Sequence, residues 1–416
     1  MKRTNLTLGL FGFGCVGQGL YDILNQTKGI KAEVKKICVK DRSKKRPIPL
    51  KYFTFDKDVI LNDPAIDVIV ELIDDASEAF NIVSAAMKNG KKVVTANKKM
   101  VAEHFDELLK LKEENQVSIL YEASTCASIP IIRNLEEYYD NDLVKSIAGI
   151  FNGSSNYILT NVFENNLSFD LALKKAQELG FAETDPTLDI SGLDSKYKLS
   201  IINAHAFGKN VPEENIFHLG IQSLSLADIN YAKEKRYKIK LVAKSIKIDG
   251  ELYSWVIPQF IDMNDFLYSI ENEFNGVIIE GAFSEKQCFV GKGAGGHPTG
   301  SAVLSDISAL TYDYKYEYKK YSQNNVPTSA DNFLIEVYIR YKNENDINQL
   351  SFLSIHEQYQ SDDFNYIIGN IDIKSLSIKE IKENKNIFIA QTTNQAVHSI
   401  NVSNNISGVH KFKVAV

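Results

Sequence analysis

Leu6-Thr7-Leu8-Gly9-Leu10-Phe11 runs directly into Gly12-Phe13-Gly14-Cys15-Val16-Gly17 and then Gln18-Gly19-Leu20-Tyr21. An apolar strand, a G-x-G-x-x-G turn and a helix start, in that order, constrain the fold more than any other stretch. The first glycine permits a tight turn and the second lets the backbone reach a pyrophosphate. The third lets the helix pack on the strand, with its positive end toward the phosphates. Alone, the pattern also describes an ordinary glycine turn; at the first strand of an α/β alternation it points to a dinucleotide site. Gly12, Gly14, Cys15, Val16 and Gly17 are therefore candidate cofactor contacts.

That alternation is present. Strands are expected at 34–39, 66–72, 92–95 and 118–121, with helices over 17–26, 78–89 and 103–114 between them. The fold class is α/β, a doubly wound parallel sheet with ligand at the carboxyl ends of its strands. From about 130 the pattern changes to α+β. A helix (130–139) leads to a strand (146–151), helices near 155–164, 169–179 and 193–208, and strands near 237–248, 252–257, 266–270 and 277–281. Glycines crowd at 291–300, ahead of a helix through 301–310. Residues 313–330, rich in Tyr, Lys, Ser and Asn, read as a linker. The last ~85 residues read as a small separate α+β module: strand 333–341, helix 346–356, strand 364–371, then helix and strands.

A net charge of −6 gives no reason to expect nucleic acid or an anionic membrane as partner. No run of about 18 apolar residues exists to span a bilayer. Cys15, Cys38, Cys126 and Cys288 show neither metal spacing nor a disulfide framework, which suits a reducing cytoplasm. Met1-Lys2-Arg3 mimics a secretory leader, but the apolar stretch behind it is glycine-rich and no cleavage site follows.

Three clusters can carry chemistry. In Val93-Val94-Thr95-Ala96-Asn97-Lys98 a buried strand ends in polar residues, so that Thr95, Asn97 and Lys98 face the cofactor crevice; the plainer alternative is a surface lysine. Asp194 and Lys198 lie four apart on a predicted helix and meet on one face. Such a pair is commonly a solvated salt bridge, but Glu183, Asp185 and Asp189 stand in one loop upstream. A loop gathering Glu183, Asp189 and Asp194 suits an ammonium group, and Lys198 beside a carboxylate and a reducible carbonyl is a proton source. The loop 291–300 is either a turn cluster or, through amides freed ahead of a helix, a second cofactor contact. Cys126 invites a nucleophile reading, which needs a thiolate with a histidine base; nearby His104 has no evident orienting group.

These clusters, in this order, resemble the homoserine dehydrogenase family over roughly residues 5–312. Besides the glycine turn, the resemblance rests on Tyr121-Glu122-Ala123-Ser124 with Ile129-Pro130-Ile131-Ile132, and on Asn152-Gly153-Ser154-Ser155-Asn156-Tyr157. It continues through Leu179-Gly180-Phe181-Ala182-Glu183, Asp185-Pro186-Thr187, Asp189, Gly192, Asp194, Lys198-Leu199 and Gly293-Ala294-Gly295-Gly296. The resemblance implies reduction of L-aspartate 4-semialdehyde to L-homoserine with NAD(P)H. Lys198 would protonate the aldehyde oxygen, with Lys98 and Asp194 positioning it; Glu183 would hold the substrate ammonium and Asp189 support that pocket. Gly180 and Gly295 would lie against the cofactor. A monovalent cation (Na or K) would sit near Glu122, largely on the backbone carbonyls of Thr125, Ala127 and Ile129.

The implied organisation is a Rossmann-type dinucleotide-binding domain over 1–130 completed by 291–316, and an α+β substrate-binding and dimerisation domain over 131–290. An ACT-like module would occupy 331–416, serving either a threonine effector or assembly alone. A homodimer is expected. The module lacks the Pro-Gly that usually follows the first ACT strand; Lys342-Asn343-Glu344-Asn345-Asp346 stands there.

Two further departures bear on activity. Asp74-Asp75 replace a usual Gly-Gly, and inward-pointing carboxylates there would disfavour a cofactor and leave an inactive relative. Ala127-Ser128 stand where small residues, often Gly-Gly, are usual. Asp41 favours NAD through a ribose hydroxyl, whereas Lys40, Arg42, Lys44, Lys45 and Arg46 favour NADP through a 2′-phosphate; the charge pattern leans slightly to NADP(H).

Overall fold

The computed structural model describes residues 5–141, 143–323, 326–394 and 397–399. The chain forms two compact units, one from 1–142, 200–213 and 291–326, the other from 143–199, 214–290 and 327–416.

The first unit opens with β1 (Leu6–Phe11), α1 (Cys15–Gln26), β2 (Ala32–Cys38), β3 (Phe53–Thr54) and α2 (Asp58–Leu61). It continues through β4 (Val68–Glu71), α3 (Ala76–Lys88), β5 (Lys92–Thr95), α4 (Lys98–Glu103), α5 (Phe105–Asn115), β6 (Ile119–Leu120) and α6 (Ile131–Glu137). All strands pair in parallel, in the order β3-β2-β1-β4-β5-β6. The order reverses between β1 and β4, and the ligand crevice of such a sheet lies at that point. Val68, Ile69 and Val70 are fully buried because helices cover both faces. The helix expected over 103–114 is α5; the short α4 precedes it, and His104 between the two leaves helical geometry.

The second unit starts with β7 (Val144–Ile150), α7 (Gly153–Glu164), α8 (Phe169–Glu178), α9 (Thr187–Ile190) and α10 (Leu193–Phe207), whose residues from Ser200 onward belong to the first unit. Then come β8 (Phe217–His218), α11 (Leu226–Glu234), β9 (Lys238–Ile248), β10 (Glu251–Ile261), β11 (Phe274–Gly281) and β12 (Glu285–Lys292). After them α12 (Gly296–Leu310) returns to the first unit, where it packs closely on α1. A methyl on Gly19 would overlap the Gly296 carbonyl, and one on Gly300 would lie 2.7 Å from the Leu20 amide. The chain ends its described part with β13 (Thr328–Ala330), β14 (Phe333–Tyr341), β15 (Phe352–Tyr359), β16 (Asn365–Asp372), α13 (Lys379–Lys382), β17 (Phe388–Gln391) and β18 (His398–Ser399).

The second unit's sheet runs β12-β11-β7-β9-β10-β17-β14-β16-β15, with β8 and β13 also on β10 and β18 on β14. Residues 331–399 thus form no separate body in this structure. Their strands extend the sheet of β9 and β10, and Tyr253, Trp255 and Ile257 share one core with Phe333, Ile335, Val337, Ile367 and Ile389. Residues 400–416 of the expected module lie outside the described residues.

Four other expectations are corrected. The strand expected at 266–270 is a 3-10 turn, Phe266–Ser269, because Asp265 accepts from the Leu267 amide at 2.8 Å and winds the chain. The helix expected at 346–356 is a single turn, Glu344–Asp346, followed by β15; Asn343 and Asp346 cap one another and end it. Strand β12 was missed because most of its side chains are at least partly exposed, leaving little apolar signal. The expected linker packs in the first unit: Tyr316, Tyr318 and Lys320 are buried, and the Tyr316 and Tyr318 hydroxyls meet the Tyr121 amide and hydroxyl at 3.3 and 2.8 Å. Its alternating tyrosines carried that signal.

Candidate active site

In the first unit, β1 delivers the chain into a turn that only glycine fits. Gly12 has φ +95°, and a methyl there would overlap the Leu72 carbonyl oxygen; a methyl on Gly17 would sit 2.7 Å from the Gly12 oxygen. Gly14 differs. Nothing lies within 4 Å of the place its Cβ would take, and as the N-cap of α1 it supplies no side-chain partner to the amides of Cys15, Val16 and Gly17. An open cradle before an uncapped helix end fits a dinucleotide pyrophosphate. Gly295, at φ +113° and ψ 157°, likewise leaves the start of α12 without a side-chain cap. Beyond β2 comes Lys40, then Asp41, whose carboxylate turns back to accept from the Ser43 amide and hydroxyl and the Lys44 amide. Asp75 also turns inward on its own chain, capping α3 through the Glu78 amide at 3.0 Å.

At the carboxyl ends of β4 and β5 lies a buried network that the sequence did not reveal. The Thr95 hydroxyl donates to Glu71 at 2.5 Å, and the Ile73 amide donates to its other oxygen at 2.6 Å. The Asn97 amide donates to Thr95 Oγ1, while the Asn97 side chain reaches the Ile73 carbonyl and caps α4, whose first residue is Lys98. Burial pushes the Glu71 carboxyl up to about 7.

The loop expected to hold a cation is organised around Glu122. Its two carboxylate oxygens accept from the Ile132 and Arg133 amides, both at 2.8 Å, and so hold the first turn of α6. Its carbonyl takes the Thr125 amide and hydroxyl, and the Ile129 carbonyl takes the Ile131 amide. Ala127 stands at φ +44°, which accounts for the preference for small residues there. No group of three or more His, Cys, Asp or Glu among the described residues could hold a metal ion. Cys126 is fully buried, which argues against an accessible nucleophilic thiolate.

The second unit brings Asp189, Asp194 and Lys198 together. Lys198 Nζ lies 2.8 Å from Asp194 Oδ2 and donates to the Phe151 carbonyl at 2.6 Å, with both side chains almost wholly buried. Asn152 Nδ2 spans Asp189 Oδ1 at 2.7 Å and Asp194 Oδ2 at 3.0 Å. Asn152 also caps α7, its Oδ1 accepting from the Ser155 amide. Sequence reasoning quoted Asn152 in a motif without giving it this role. Glu183 is exposed on the turn after α8. Gly180, at φ +75°, ends α8: its amide bonds to Gln177 and the Phe181 amide to Ala176. Held this way, the lysine is a buried cation with fixed acceptors, suited to donating a proton to an oxygen that gains charge.

Family profiles match residues 12–122, as the homoserine dehydrogenase NAD-binding domain, and residues 130–308, as homoserine dehydrogenase. A Bacillus subtilis homoserine dehydrogenase is 32% identical over 386 residues, covering 90% of this chain and 87% of the relative. The crystal structure of the Thiobacillus denitrificans enzyme superposes with a TM-score of 0.80 at 27% identity, covering 94% of this chain and 98% of that one. A hyperthermophilic archaeal homoserine dehydrogenase in complex with NADPH gives 0.65 at 27% identity, over 75% of this chain and 99% of that one. Among the described residues no helix is long and apolar enough to cross a membrane. A parallel sheet with a dinucleotide-type glycine turn, joined to a buried lysine–carboxylate cluster and matched along nearly its whole length, places this chain in the homoserine dehydrogenase family, NAD(P)-dependent oxidoreductases that act on CH–OH groups.

Proposed function

We propose that the chain interconverts L-aspartate 4-semialdehyde and L-homoserine, with Lys198 as the proton donor to the aldehyde oxygen. The observation that carries this is the fixed Lys198 ammonium, bound at once to Asp194 Oδ2 and the Phe151 carbonyl. Bound nicotinamide supplies the hydride. Asp194 keeps the lysine aimed, and Asn152 holds Asp194 and Asp189 in register. Asp189 and Glu183 take the substrate ammonium; Lys98 positions the reacting oxygen. Gly12, Gly14, Cys15, Val16, Gly17, Thr95, Gly180 and Gly295 serve the cofactor. Lys40 and Arg42 favour NADP(H), because the Asp41 carboxylate is already engaged by its own loop.

A monovalent cation fits the Glu122–Ile129 loop through main-chain oxygens of Thr125, Ala127 and Ile129, with Glu122 bracing α6. The chain assembles as a homodimer through the second unit, where Phe283 and Val290 are exposed at the edge strand β12 and Met263 and Phe266 are exposed after β10. We assign the C-terminal strands an ACT-like role. They follow a strand–turn–strand–strand–helix–strand order and lie side by side as β17-β14-β16-β15. Four cysteines that form no disulfide suit the cytoplasm.

The test is steady-state turnover of wild type and Lys198→Ala with NADPH and NADH, with and without potassium, sodium and threonine. The expected result is a fall in kcat of at least 100-fold for the variant, with cofactor affinity retained. An unimpaired variant overturns the role of Lys198. Equal use of NADH overturns the NADP(H) preference, and a threonine-insensitive wild type leaves the C-terminal strands an assembly role.

A further inference from the structure

Among the described residues, Asn275 is the one whose side-chain amide is buried with neither its nitrogen nor its oxygen hydrogen-bonded. The residue is 0% exposed. Burying an amide without partners is costly, so a fold that keeps one needs a reason.

Its surroundings supply one. On β11 the pairing with β7 ends at Gly276 opposite Ile150. One step further along each chain stand Asn275 and Phe151, and the Phe151 carbonyl accepts the Lys198 ammonium. The segment before Asn275 is laid on the first turn of α7. A methyl on Gly153 would come 2.5 Å from the Glu273 oxygen, and Asn156 Nδ2 donates to the Phe274 carbonyl at 3.1 Å. Asn275 therefore stands at the end of the strand paired with the one that leads through Phe151, acceptor of the Lys198 ammonium, and Asn152 into the positive end of a twelve-residue helix.

The proposed substrate groups name its ligand. Glu183, Asp189 and Asp194 are all acidic and suit an ammonium, which leaves a zwitterionic substrate's own carboxylate to be met by donors. We infer that Asn275 is a substrate-binding residue whose Nδ2 donates to the α-carboxylate of the amino-acid substrate, in company with the first-turn amides of α7. The inference rests on the proposed reaction and adds a residue to it.

Asn275→Leu, made in the full chain, keeps the branching at Cγ and the number of side-chain heavy atoms and removes both polar atoms. With no protein partner to lose, the variant should melt at or above the wild-type temperature. Its KM for aspartate 4-semialdehyde should rise about 10- to 100-fold, as for one hydrogen bond to a charged group, while the calorimetric Kd for NADPH stays within about twofold. Wild type should bind homoserine more tightly than 3-aminopropan-1-ol, which lacks the carboxylate, and Asn275→Leu should lose that preference. A lower melting temperature with an unchanged KM makes Asn275 structural and overturns the inference; so does an unchanged KM at unchanged stability. Should Asn275→Leu fail to fold, Asn275→Ser, which keeps a donor in a smaller volume, must still raise KM, and a wild-type KM overturns the proposal. Absence of turnover in the wild type would instead sink the proposed reaction.

Discussion

Glu71 offers a direct electrostatic test of the first unit. It is a buried carboxyl with two neutral donors, the Thr95 hydroxyl and the Ile73 amide. Burial raises its pKa from 4.5 to about 7, with those two hydrogen bonds working against the rise and Asp74 adding to it. That displacement corresponds to roughly 3 kcal/mol. The folded value exceeds the unfolded one, so the folded chain holds a proton the unfolded chain has released between these limits. The stabilising contribution is therefore fully present below about 4.5 and is lost as pH rises through about 7. Glu71→Gln removes the titration and substitutes a constant offset from altered hydrogen bonding. Thermal unfolding of cofactor-free wild type and variant across pH 4.5 to 8 reads the difference. Relative to wild type, the melting temperature of Glu71→Gln should climb with pH by about 6–12 °C, at 2–4 °C per kcal/mol for a unit of this size. Thr95→Val, which deletes a donor favouring the charged form, should move the climb to higher pH. A difference that stays flat across this range would refute the buried, unpaired carboxyl.

Two further outcomes separate packing from binding. Gly14→Ala places a methyl in open space at φ −79°, whereas Gly19→Ala drives one into the Gly296 carbonyl. Calorimetry and thermal melting should show Gly14→Ala as stable as wild type with weakened dinucleotide binding, and Gly19→Ala as destabilised by about 2 kcal/mol or more. Asp228 is fully buried and accepts from Arg340 Nε at 3.0 Å, from Tyr338 and from Ser225. Asp228→Ala strands the guanidinium and should cost about 3–5 kcal/mol in urea unfolding of the second unit.

The first unit was legible because each parallel strand there is a short apolar run and each helix carries a clear stripe, as in the Ile82, Val83, Ala86 and Met87 face of α3. Glycine chemistry then located the turn, since φ +95° at Gly12 leaves few other residues possible. The C-terminal strands were not legible as part of a larger sheet. Nothing local in Phe388–Gln391 says that β17 will pair with β10 some 130 residues earlier, at Gln391 opposite Gln259. The turn at 344–346 escaped for a similar reason: a helix-like composition was stopped by one Asn–Asp capping pair. Asn275 and Glu71 carried no signal at all, because an amide or carboxylate becomes informative only once burial and partners are known.

Spacing alone could not rank the acid–base pairs. Lys99–Glu103, Lys110–Glu114 and Lys174–Glu178 share the four-residue separation of Asp194 and Lys198. Their side chains are about 33–75% exposed, against 8% and 4% for Lys198 and Asp194. Exposed pairs of this kind contribute little. A buried lysine pays for its charge only with fixed acceptors, and here the Phe151 carbonyl and Asp194 supply them. The Asp228–Arg340 pair is equally buried, yet its guanidinium is always charged and its donors are spent on Asp228, Ser223 and Asn386, so it locks α11 onto β14. A lysine ammonium can give up a proton that a guanidinium cannot. Of the buried cation–carboxylate pairs Asp194–Lys198 and Asp228–Arg340, only the first is built to lose and regain one, and there the proposed chemistry belongs.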